Sequence, residues 1–274
     1  MRLKAFDDTP ELDAQVLLAH ILGKRRSWVV THAEQSVTKE QQSRLEAAVK
    51  KLEKGGPLPY ILGHWEFFGL DFDLTNDVLI PRPETELLVE KAISWLTSHP
   101  EARSVADIGT GSGAIAASIA MHVSDVRILA TDISPAALAV ARRNAQKFHV
   151  HQQIDFVECD LLPTQSSIVN RQLSIDLLCA NLPYIPTETL HQLPIYGKEP
   201  TLALDGGADG LDLYRRLFQL APDWLAPQGL MLLEIEATLG VQALSLAYDS
   251  FTNVIIHLHQ DLAGRDRLLE INFK

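Results

Sequence analysis

The stretch DIGTGSGA, residues 107–114, connects a short apolar run to a segment of small apolar residues with helical spacing. Gly109 and Gly111 let the backbone turn tightly and approach a ligand, and Gly113 permits close packing where the next helix begins. A strand, a glycine-rich turn and a helix in this order are typical of the first unit of a nucleotide-binding sheet. The stretch therefore predicts a Rossmann-like α/β fold with a ligand site at the carboxyl edge of its strands.

The same alternation continues through residues 81–274. The predicted strands are SVADIG, RILATDIS, IDFVECD, SIDLLCA, GLMLLEI, NVIIHLH and RLLEINF. The predicted helices are the segment opened by Pro83, AIAASIAMHV, PAALAVARRNAQ capped by Ser134, and LYRRLFQLAPDWL. Such alternation indicates a mostly parallel sheet covered on both faces. Because DLAGRD is too short to form a helix, we expect the last two strands to pair antiparallel at one edge.

The first 80 residues follow other patterns. Helical spacing of apolar residues after Pro10, and a capping box in TKEQ, predict a small helical domain over residues 1–58. The alternation in HWEFFGLDFDLT predicts a β-hairpin, and residues 59–80 are assigned to this connector. The sequence thus predicts two units, the second of them the sheet domain of residues 81–274.

Composition narrows the class of protein and its partners. The chain has 274 residues, 46% of them hydrophobic, and a formal net charge of −11, which disfavours nucleic acid as a direct partner. The longest apolar runs, such as AALAVA, are far shorter than the roughly 18 residues of a membrane span. The start, MRLKAFDDTPELD, lacks the apolar core of a signal peptide, so we expect a cytoplasmic protein without a membrane partner. A monomer is also expected. Neither Cys159 nor Cys179 has metal-type ligand spacing around it, so no metal site is predicted.

Two ligand classes fit the glycine loop taken alone. The pattern from Gly109 to Ala114, with Asp132 about 20 residues further on, satisfies the fingerprint of a NAD-binding oxidoreductase. Asp107, however, lies two residues before the first glycine, where its charge would oppose a diphosphate. A carboxylate there suits a ligand with a positive centre. S-adenosylmethionine has a sulfonium and an amino acid head and no phosphate, so it is the favoured cofactor.

Acidic residues follow three successive predicted strands, and Asp107 is the first of them. Asp132 ends the second strand, where its carboxylate can accept both ribose hydroxyls. Asp160 ends the third, placed for an adenine amino group, and Leu161 beside it can pack on the adenine face. Each acid alone is also explained as a helix cap or a turn residue. The three together indicate a nucleoside site.

The tetrapeptide NLPY, residues 181–184, interrupts an apolar run at a strand end. Asn181 offers a side-chain carbonyl, and Leu182 is held extended because it precedes Pro183, so two acceptors point at one place. A planar NH₂ group that donates to both would be fixed in orientation, and Tyr184 can stack on its flat face. A methyl sulfonium above that plane favours attack by the nitrogen. The alternative is a strand stopped by proline, with Tyr184 in the core.

With these residues in place, the sequence resembles the PrmC/HemK family, the glutamine methyltransferases of peptide-chain release factors. The resemblance covers nearly the whole chain, through the segments LDAQVLLAHILG, PLPYILGHWEFFG, LIPRPETE, DIGTGSGAIA, ATDIS, NLPYIP, EPTLALDGGADGLDLYR and DLAGRDR. It implies a class I, Rossmann-like, S-adenosylmethionine-dependent methyltransferase domain over residues 81–274. The implied reaction methylates the side-chain amide of the glutamine in the Gly-Gly-Gln loop of a release factor, which the helical domain would dock.

The resemblance and the reasoning above give one set of expected site residues. Those expected to bind the cofactor are Asp107, Gly109, Thr110, Gly111, Ser112, Gly113, Asp132, Asp160, Leu161 and Asn181. Those expected to hold the glutamine amide are Asn181, Leu182, Pro183 and Tyr184.

One departure keeps an alternative substrate open. The family tetrapeptide is usually Asn-Pro-Pro-Tyr, and here Leu182 replaces the first proline. The Leu182 carbonyl survives this change, with some loss of rigidity. Asn-Leu-Pro-Tyr also resembles the motif of ribosomal RNA adenine dimethyltransferases, so an adenine amino methyltransferase acting on ribosomal RNA or DNA is the alternative. The acidic charge and the helical domain count against it. A non-catalytic binding module would leave NLPY unexplained.

Three further segments have no assigned role at this stage. LEIEATLG, residues 233–240, lacks the glycine and the glutamine that the family commonly shows after Leu-Glu. The charged residues of LIPRPETE and the DGG turn of residues 205–207 either close the site or only cap and turn the chain.

Overall fold

The computed structural model describes residues 9–163 and 174–274. It divides the chain into two units, Met1–Trp65 and Glu66–Lys274. The first eight residues of the predicted helical domain lie outside the described residues. The predicted domain boundaries at residues 58 and 80 stay predictions.

The N-terminal unit consists of helices. They are α1 (Pro10–Leu22), α2 (Arg26–Thr31), α3 (Lys39–Glu53) and α4 (Leu58–Leu62). The predicted capping box at the start of α3 is confirmed, because Thr38 accepts from the Gln41 N–H while the Gln41 side chain accepts from the Thr38 N–H. The unit has a small apolar core of its own around Leu17 and Leu62.

The predicted hairpin is confirmed as strands β1 (His64–Phe67) and β2 (Leu70–Asp73). A fully buried asparagine fastens β2 to the glycine loop. Asn144 Oδ1 accepts from the Asp73 N–H at 2.8 Å, and its Nδ2 donates to the carbonyls of Asp73 and Ser112 at 3.0 and 2.8 Å. On the surface nearby, Lys147 pairs with Asp71 and Asp73. The buried contacts tie the connector to the loop that begins the ligand site.

A seven-stranded sheet organises the second unit. Its strands are β3 (Ser104–Ile108), β4 (Arg127–Asp132), β5 (Ile154–Glu158), β6 (Ile175–Ala180), β7 (Leu225–Glu234), β8 (Val254–Gln260) and β9 (Asp266–Phe273). The order is β5-β4-β3-β6-β7-β9-β8, and the first five strands are parallel. β9 runs antiparallel to both β7 and β8, which confirms the predicted antiparallel edge.

Helices cover both faces of this sheet. They are α5 (Glu86–Ser98), α6 (Ala114–His122), α7 (Pro135–Lys147), α8 (Thr187–Leu190), α9 (Asp212–Leu220) and α10 (Gly240–Ser250). One core packs α5 and α6 on the sheet, and a second core packs α9 and α10 on its other face. Ser134 caps α7 as predicted, by accepting from the Ala137 N–H. The helix α10 is not among the sequence predictions.

The strand order places a ligand site. From β3 the chain moves outward to β4 and β5, and then returns to the other side of β3 with β6. Ligands of open α/β sheets bind at such a reversal, outside the carboxyl ends of the strands. β4 ends at Asp132 as predicted, whereas β5 ends at Glu158, so Asp160 lies two residues beyond its strand. The glycine loop, Asp132 and NLPY all follow strands at this edge.

Candidate active site

A cleft of about 790 Å³ opens at the carboxyl edge of β3, β4 and β6. Of the predicted site residues, those that line it are Gly109, Thr110, Gly111, Ser112, Asp132, Asp160, Leu161, Asn181, Leu182 and Pro183. Asp107, Gly113 and Tyr184 are not among its described lining residues. The fold thus brings ten of the predicted residues to one cavity, and the other three lie outside its lining.

Asp107 lies beneath the glycine loop and is fully buried. Its Oδ2 accepts from the Thr110 hydroxyl at 2.6 Å and from the Ala116 N–H at 3.1 Å, while its Oδ1 has no hydrogen-bond partner within the described residues. Burial raises the pKa of this carboxyl to about 6. The geometry makes Asp107 a brace for the loop and for the start of α6. Direct contact with a cofactor stays a prediction.

Asp132 carries a carboxylate on the cleft wall. Its Oδ2 accepts from the Gly111 N–H and its Oδ1 from the Ser134 N–H, both at 2.9 Å. Burial raises the pKa of the carboxyl, and the backbone N–H donors oppose that rise. Each oxygen retains a lone pair, so the carboxylate can still accept a diol. The two N–H donors hold it in place for that contact.

Asp160 and Leu161 line the cleft shortly after the end of β5. The Asp160 Oδ2 accepts from Arg216 Nη2 at 2.6 Å, and both side chains are about half exposed. Leu161 is buried, and its carbonyl accepts from the Thr131 hydroxyl at 2.6 Å. The adenine-binding role predicted for Asp160 therefore competes with an ion pair that the sequence analysis does not contain.

Asn181 lines the cleft directly after β6. Its Nδ2 donates to the Thr85 hydroxyl at 3.0 Å, which leaves its Oδ1 as an acceptor. The Leu182 carbonyl lies 3.3 Å from the Tyr214 hydroxyl, which is itself engaged with the Glu234 carbonyl. A hydroxyl has one proton, so the Leu182 carbonyl retains capacity for another donor. Both acceptors predicted from NLPY are thus present in the structure.

Tyr184 is held from behind the cleft. Its hydroxyl donates to Glu234 Oε1 at 3.2 Å, and burial raises its pKa. The DGG turn packs against the backbone of the same residue: a Cβ added at Gly206 would come within 2.7 Å of Tyr184 Cα. The Gly206 N–H donates to the Ile185 carbonyl at 2.8 Å. The turn therefore fixes the tetrapeptide, and only a residue without a side chain fits at position 206.

The LIPRPETE segment closes another side of the cleft. Arg82 pairs with Glu199 at 2.5 Å, and the Ile80 N–H donates to the second oxygen of Glu199 at 3.1 Å. The Glu199 side chain is only 3% exposed, so this pair is largely removed from water. It joins the segment before α5 to the segment that carries the DGG turn.

Four residues that matter for this geometry have no role in the sequence analysis: Thr85, Glu199, Arg216 and Glu234. Each acts through a partner that is distant along the chain, such as Thr85 on Asn181. The local signal that exists is an acid directly after a run of buried apolar residues, which is the case for Glu234 at the end of β7.

Two kinds of feature are absent from the described residues, 9–163 and 174–274. None of their helices is long and apolar enough to cross a membrane. Among the same residues, no group of three or more His, Cys, Asp or Glu side chains is arranged to hold a metal ion.

Solved structures of methyltransferases share this fold. The chain matches the catalytic domain of hMettl16, in complex with the MAT2A 3'UTR hairpin 6, with a TM-score of 0.55 and 16% identity over 86% of this chain and 83% of that one. It matches the ribosomal protein L11 methylase of Lactobacillus delbrueckii subsp. bulgaricus with a TM-score of 0.51 and 21% identity over 73% and 84% of the two chains. A family model described as "Methyltransferase domain" matches residues 105–193. The fold and the cleft therefore define a class I, Rossmann-like methyltransferase.

The N-terminal unit and the relatives make the assignment more specific. A family model described as "PrmC N-terminal domain" matches residues 1–63. Release factor glutamine methyltransferases from Moorella thermoacetica and Bordetella pertussis are 42% and 37% identical to this chain, over 95% and 94% of it and 90% and 93% of those proteins. The chain belongs to the release factor glutamine methyltransferase family. The resemblance seen in the sequence is confirmed, and the NAD-binding oxidoreductase is excluded.

Proposed function

We propose that this protein transfers a methyl group from S-adenosylmethionine to the side-chain amide nitrogen of the glutamine in the Gly-Gly-Gln motif of peptide-chain release factors. The observation that carries the proposal is the Asn181 amide. Its Nδ2 donates to Thr85, which leaves its Oδ1 as an acceptor, and the Leu182 carbonyl, one residue further along the chain, retains capacity for a second donor. Family membership at 42% identity supports the same reaction.

The cleft fits S-adenosylmethionine in its donor set. Asp132 offers a carboxylate to a ribose diol, and the apolar side chains of Leu161 and Ile133 line the same cavity for an adenine ring. The two arginines among its described lining residues, Arg82 and Arg216, are both paired with carboxylates. Such a lining suits a nucleoside without phosphate better than a dinucleotide. When bound, S-adenosylmethionine supplies a methyl group that its sulfonium already activates.

The residues of the chain then provide orientation. A glutamine NH₂ group that donates to Asn181 Oδ1 and to the Leu182 carbonyl has both hydrogens fixed in one plane. Its lone pair is delocalised into the amide, so a fixed plane and approach direction lower the barrier by reducing unproductive orientations. The amide nitrogen loses one proton to solvent when it gains the methyl group, and the same two acceptors stabilise the positive charge on it before that loss. Pro183 stiffens the backbone that carries them.

We assign docking of the release factor to the N-terminal helical domain, residues 1–58, and catalysis to residues 81–274. The match of residues 1–63 to the PrmC N-terminal domain supports this division. We also propose that the enzyme acts as a cytoplasmic monomer. It needs no direct nucleic-acid partner, for which the net charge of −11 is the support. The adenine alternative rests on Leu182 alone, and the named relatives do not support it.

Labelled methyl transfer tests the proposal. The purified enzyme is incubated with labelled S-adenosylmethionine and a release factor, beside the same factor with its Gly-Gly-Gln glutamine changed to alanine and beside ribosomal RNA. We expect label on the unaltered factor only. Label on ribosomal RNA would establish the adenine reaction instead, and equal label on both factors would refute the glutamine as acceptor.

A further inference from the structure

Glu234 is a buried acid in contact with NLPY that the proposed reaction does not yet use. It ends β7 at the carboxyl edge of the sheet and is 1% exposed. Its Oε1 accepts from the Tyr184 hydroxyl at 3.2 Å. Its Oε2 has no hydrogen-bond partner within the described part of the chain. A buried carboxyl with an open oxygen is costly, which calls for a reason to keep an acid there.

The carboxyl reaches the other end of the tetrapeptide through Thr85. The Thr85 hydroxyl accepts from Asn181 Nδ2 at 3.0 Å and lies close enough to Glu234 to lower the pKa of that group. Thr85 is itself 4% exposed, so water does not replace either partner readily. A single side chain therefore contacts NLPY directly at Tyr184 and indirectly at Asn181.

The direction of these hydrogen bonds decides what Asn181 presents to a substrate. The Thr85 hydroxyl has one proton, and while it accepts from Asn181 that proton needs another acceptor, a need that the open Oε2 of the nearby Glu234 carboxylate can meet. A protonated carboxyl, or a glutamine at position 234, is a weaker acceptor than a carboxylate, so the Thr85 hydroxyl then donates to Asn181 instead. The Asn181 amide would then turn over and point its NH₂ into the cleft. An NH₂ group there repels the NH₂ group of a glutamine, because neither can accept.

We propose that Glu234 is a positioning residue for methyl transfer: its carboxylate orients the Thr85 hydroxyl, and this hydroxyl holds the Asn181 carbonyl toward the substrate amide. This role rests on the proposed function for its substrate, and it adds the contact that decides which way the Asn181 acceptor points.

The charged and titratable groups around Glu234 give this device a pH dependence. Burial is the main cause that raises the pKa of Glu234 to about 7, and Glu84 raises it further. Arg267 and the Tyr184 hydroxyl lower it, and the Tyr214 hydroxyl also faces it. The carboxylate form thus grows as the pH rises through about 7. Turnover that depends on this form should rise over the same range.

The test compares Glu234→Gln with Glu236→Gln. Glu236 lies two residues further on, is half-buried, and caps Thr238, so it is the matched control. We expect Glu234→Gln to lower kcat for a release factor roughly tenfold to a hundredfold, with the affinity for S-adenosylhomocysteine unchanged. The rise of kcat with pH should disappear in Glu234→Gln and persist in Glu236→Gln. Unchanged kcat in Glu234→Gln would overturn the proposal, as would a joint loss of kcat and of S-adenosylhomocysteine affinity.

A second readout does not depend on turnover. The side-chain NH₂ resonances of Asn181, observed by nitrogen-15 NMR, should shift with a midpoint near pH 7 in the wild type and show no such transition in Glu234→Gln. Thr85→Val should abolish the transition as well, with Glu234 intact. If wild-type enzyme labels no release factor, the proposed function fails, and these resonances still decide whether Glu234 controls Asn181. An identical titration in wild type and Glu234→Gln would refute that control.

Discussion

Replacing Gly113 by alanine should destabilise the fold through two separable effects. Gly113 has a φ of +80°, and a Cβ at this position would come within 3.1 Å of the Ala141 Cβ and 3.2 Å of its Cα. Ala141 lies on α7 and is 1% exposed, so it has little room to move. The left-handed backbone costs a side-chain-bearing residue about 1–2 kcal/mol, and overpacking against a buried helix adds about 1–3 kcal/mol. We expect Gly113→Ala to lower the free energy of unfolding by about 2–5 kcal/mol.

A double-mutant cycle separates the two effects. Ala141→Gly alone costs about 1–2 kcal/mol through helix propensity and a lost buried methyl group. In the double variant the contact with the Ala141 Cβ is gone, whereas the close approach to its Cα and the backbone strain remain, so the coupling energy should be about 1–2 kcal/mol in favour of the pair. Urea unfolding followed by far-UV circular dichroism measures all four proteins. Strict additivity would refute the contact between the glycine loop and α7 as the reason for a glycine at position 113.

Three further perturbations follow from buried contacts, each measured by urea unfolding. Asn144 bonds the backbone groups of Asp73 and Ser112, and Asn144→Leu leaves these groups unpaired, so it should lower the free energy of unfolding by about 2–5 kcal/mol. Lys147→Ala, on the same helix, should lower it by less than about 1 kcal/mol. Equal losses in the two variants would contradict the role of Asn144 as a buried anchor. Because the pKa of Asp107 is raised from 3.8 to about 6, its contribution to stability is greatest below about pH 4 and falls as the pH rises to 6. The wild type should therefore lose about 3 kcal/mol over this range relative to Asp107→Asn, and parallel pH curves would refute the burial of this charge. Arg82→Ala leaves the buried Glu199 carboxylate without its partner and should lower the free energy of unfolding by roughly 2–5 kcal/mol. Adding Glu199→Gln should restore most of this loss. If it restores none, the unpaired charge is not the cause.

Local patterns predict most of the architecture because they depend on neighbouring residues alone. The capping box at Thr38 and the cap at Ser134 need only the following turn of helix, and the glycine loop needs only its own backbone. The antiparallel edge follows from the short connection before β9. The helix α10 carries a weaker signal, because it begins at Gly240 and is fixed by packing small buried residues such as Ala243 against the sheet.

The working parts of the site are less accessible from sequence because they are contacts between distant segments. Asn181 is visible in NLPY, but the hydroxyl that orients it comes from Thr85, 96 residues earlier in the chain. From the sequence, Asp160 is expected to be a free carboxylate, whereas in the folded chain it pairs with Arg216. In the sequence, Glu234 is an acid that follows a run of apolar residues. Only the sheet order places it behind the tetrapeptide.

Mass spectrometry of the Gly-Gly-Gln peptide tests the central claim most directly. A release factor is incubated with S-adenosylmethionine and either the wild-type enzyme or Asn181→Ala, while calorimetry measures S-adenosylhomocysteine binding by both. We predict one added methyl on the glutamine side chain with the wild type, none with Asn181→Ala, and binding by both proteins. Methylation of the glutamine at the wild-type rate by Asn181→Ala, or an unmodified peptide from a wild-type enzyme that binds the cofactor, would contradict the account.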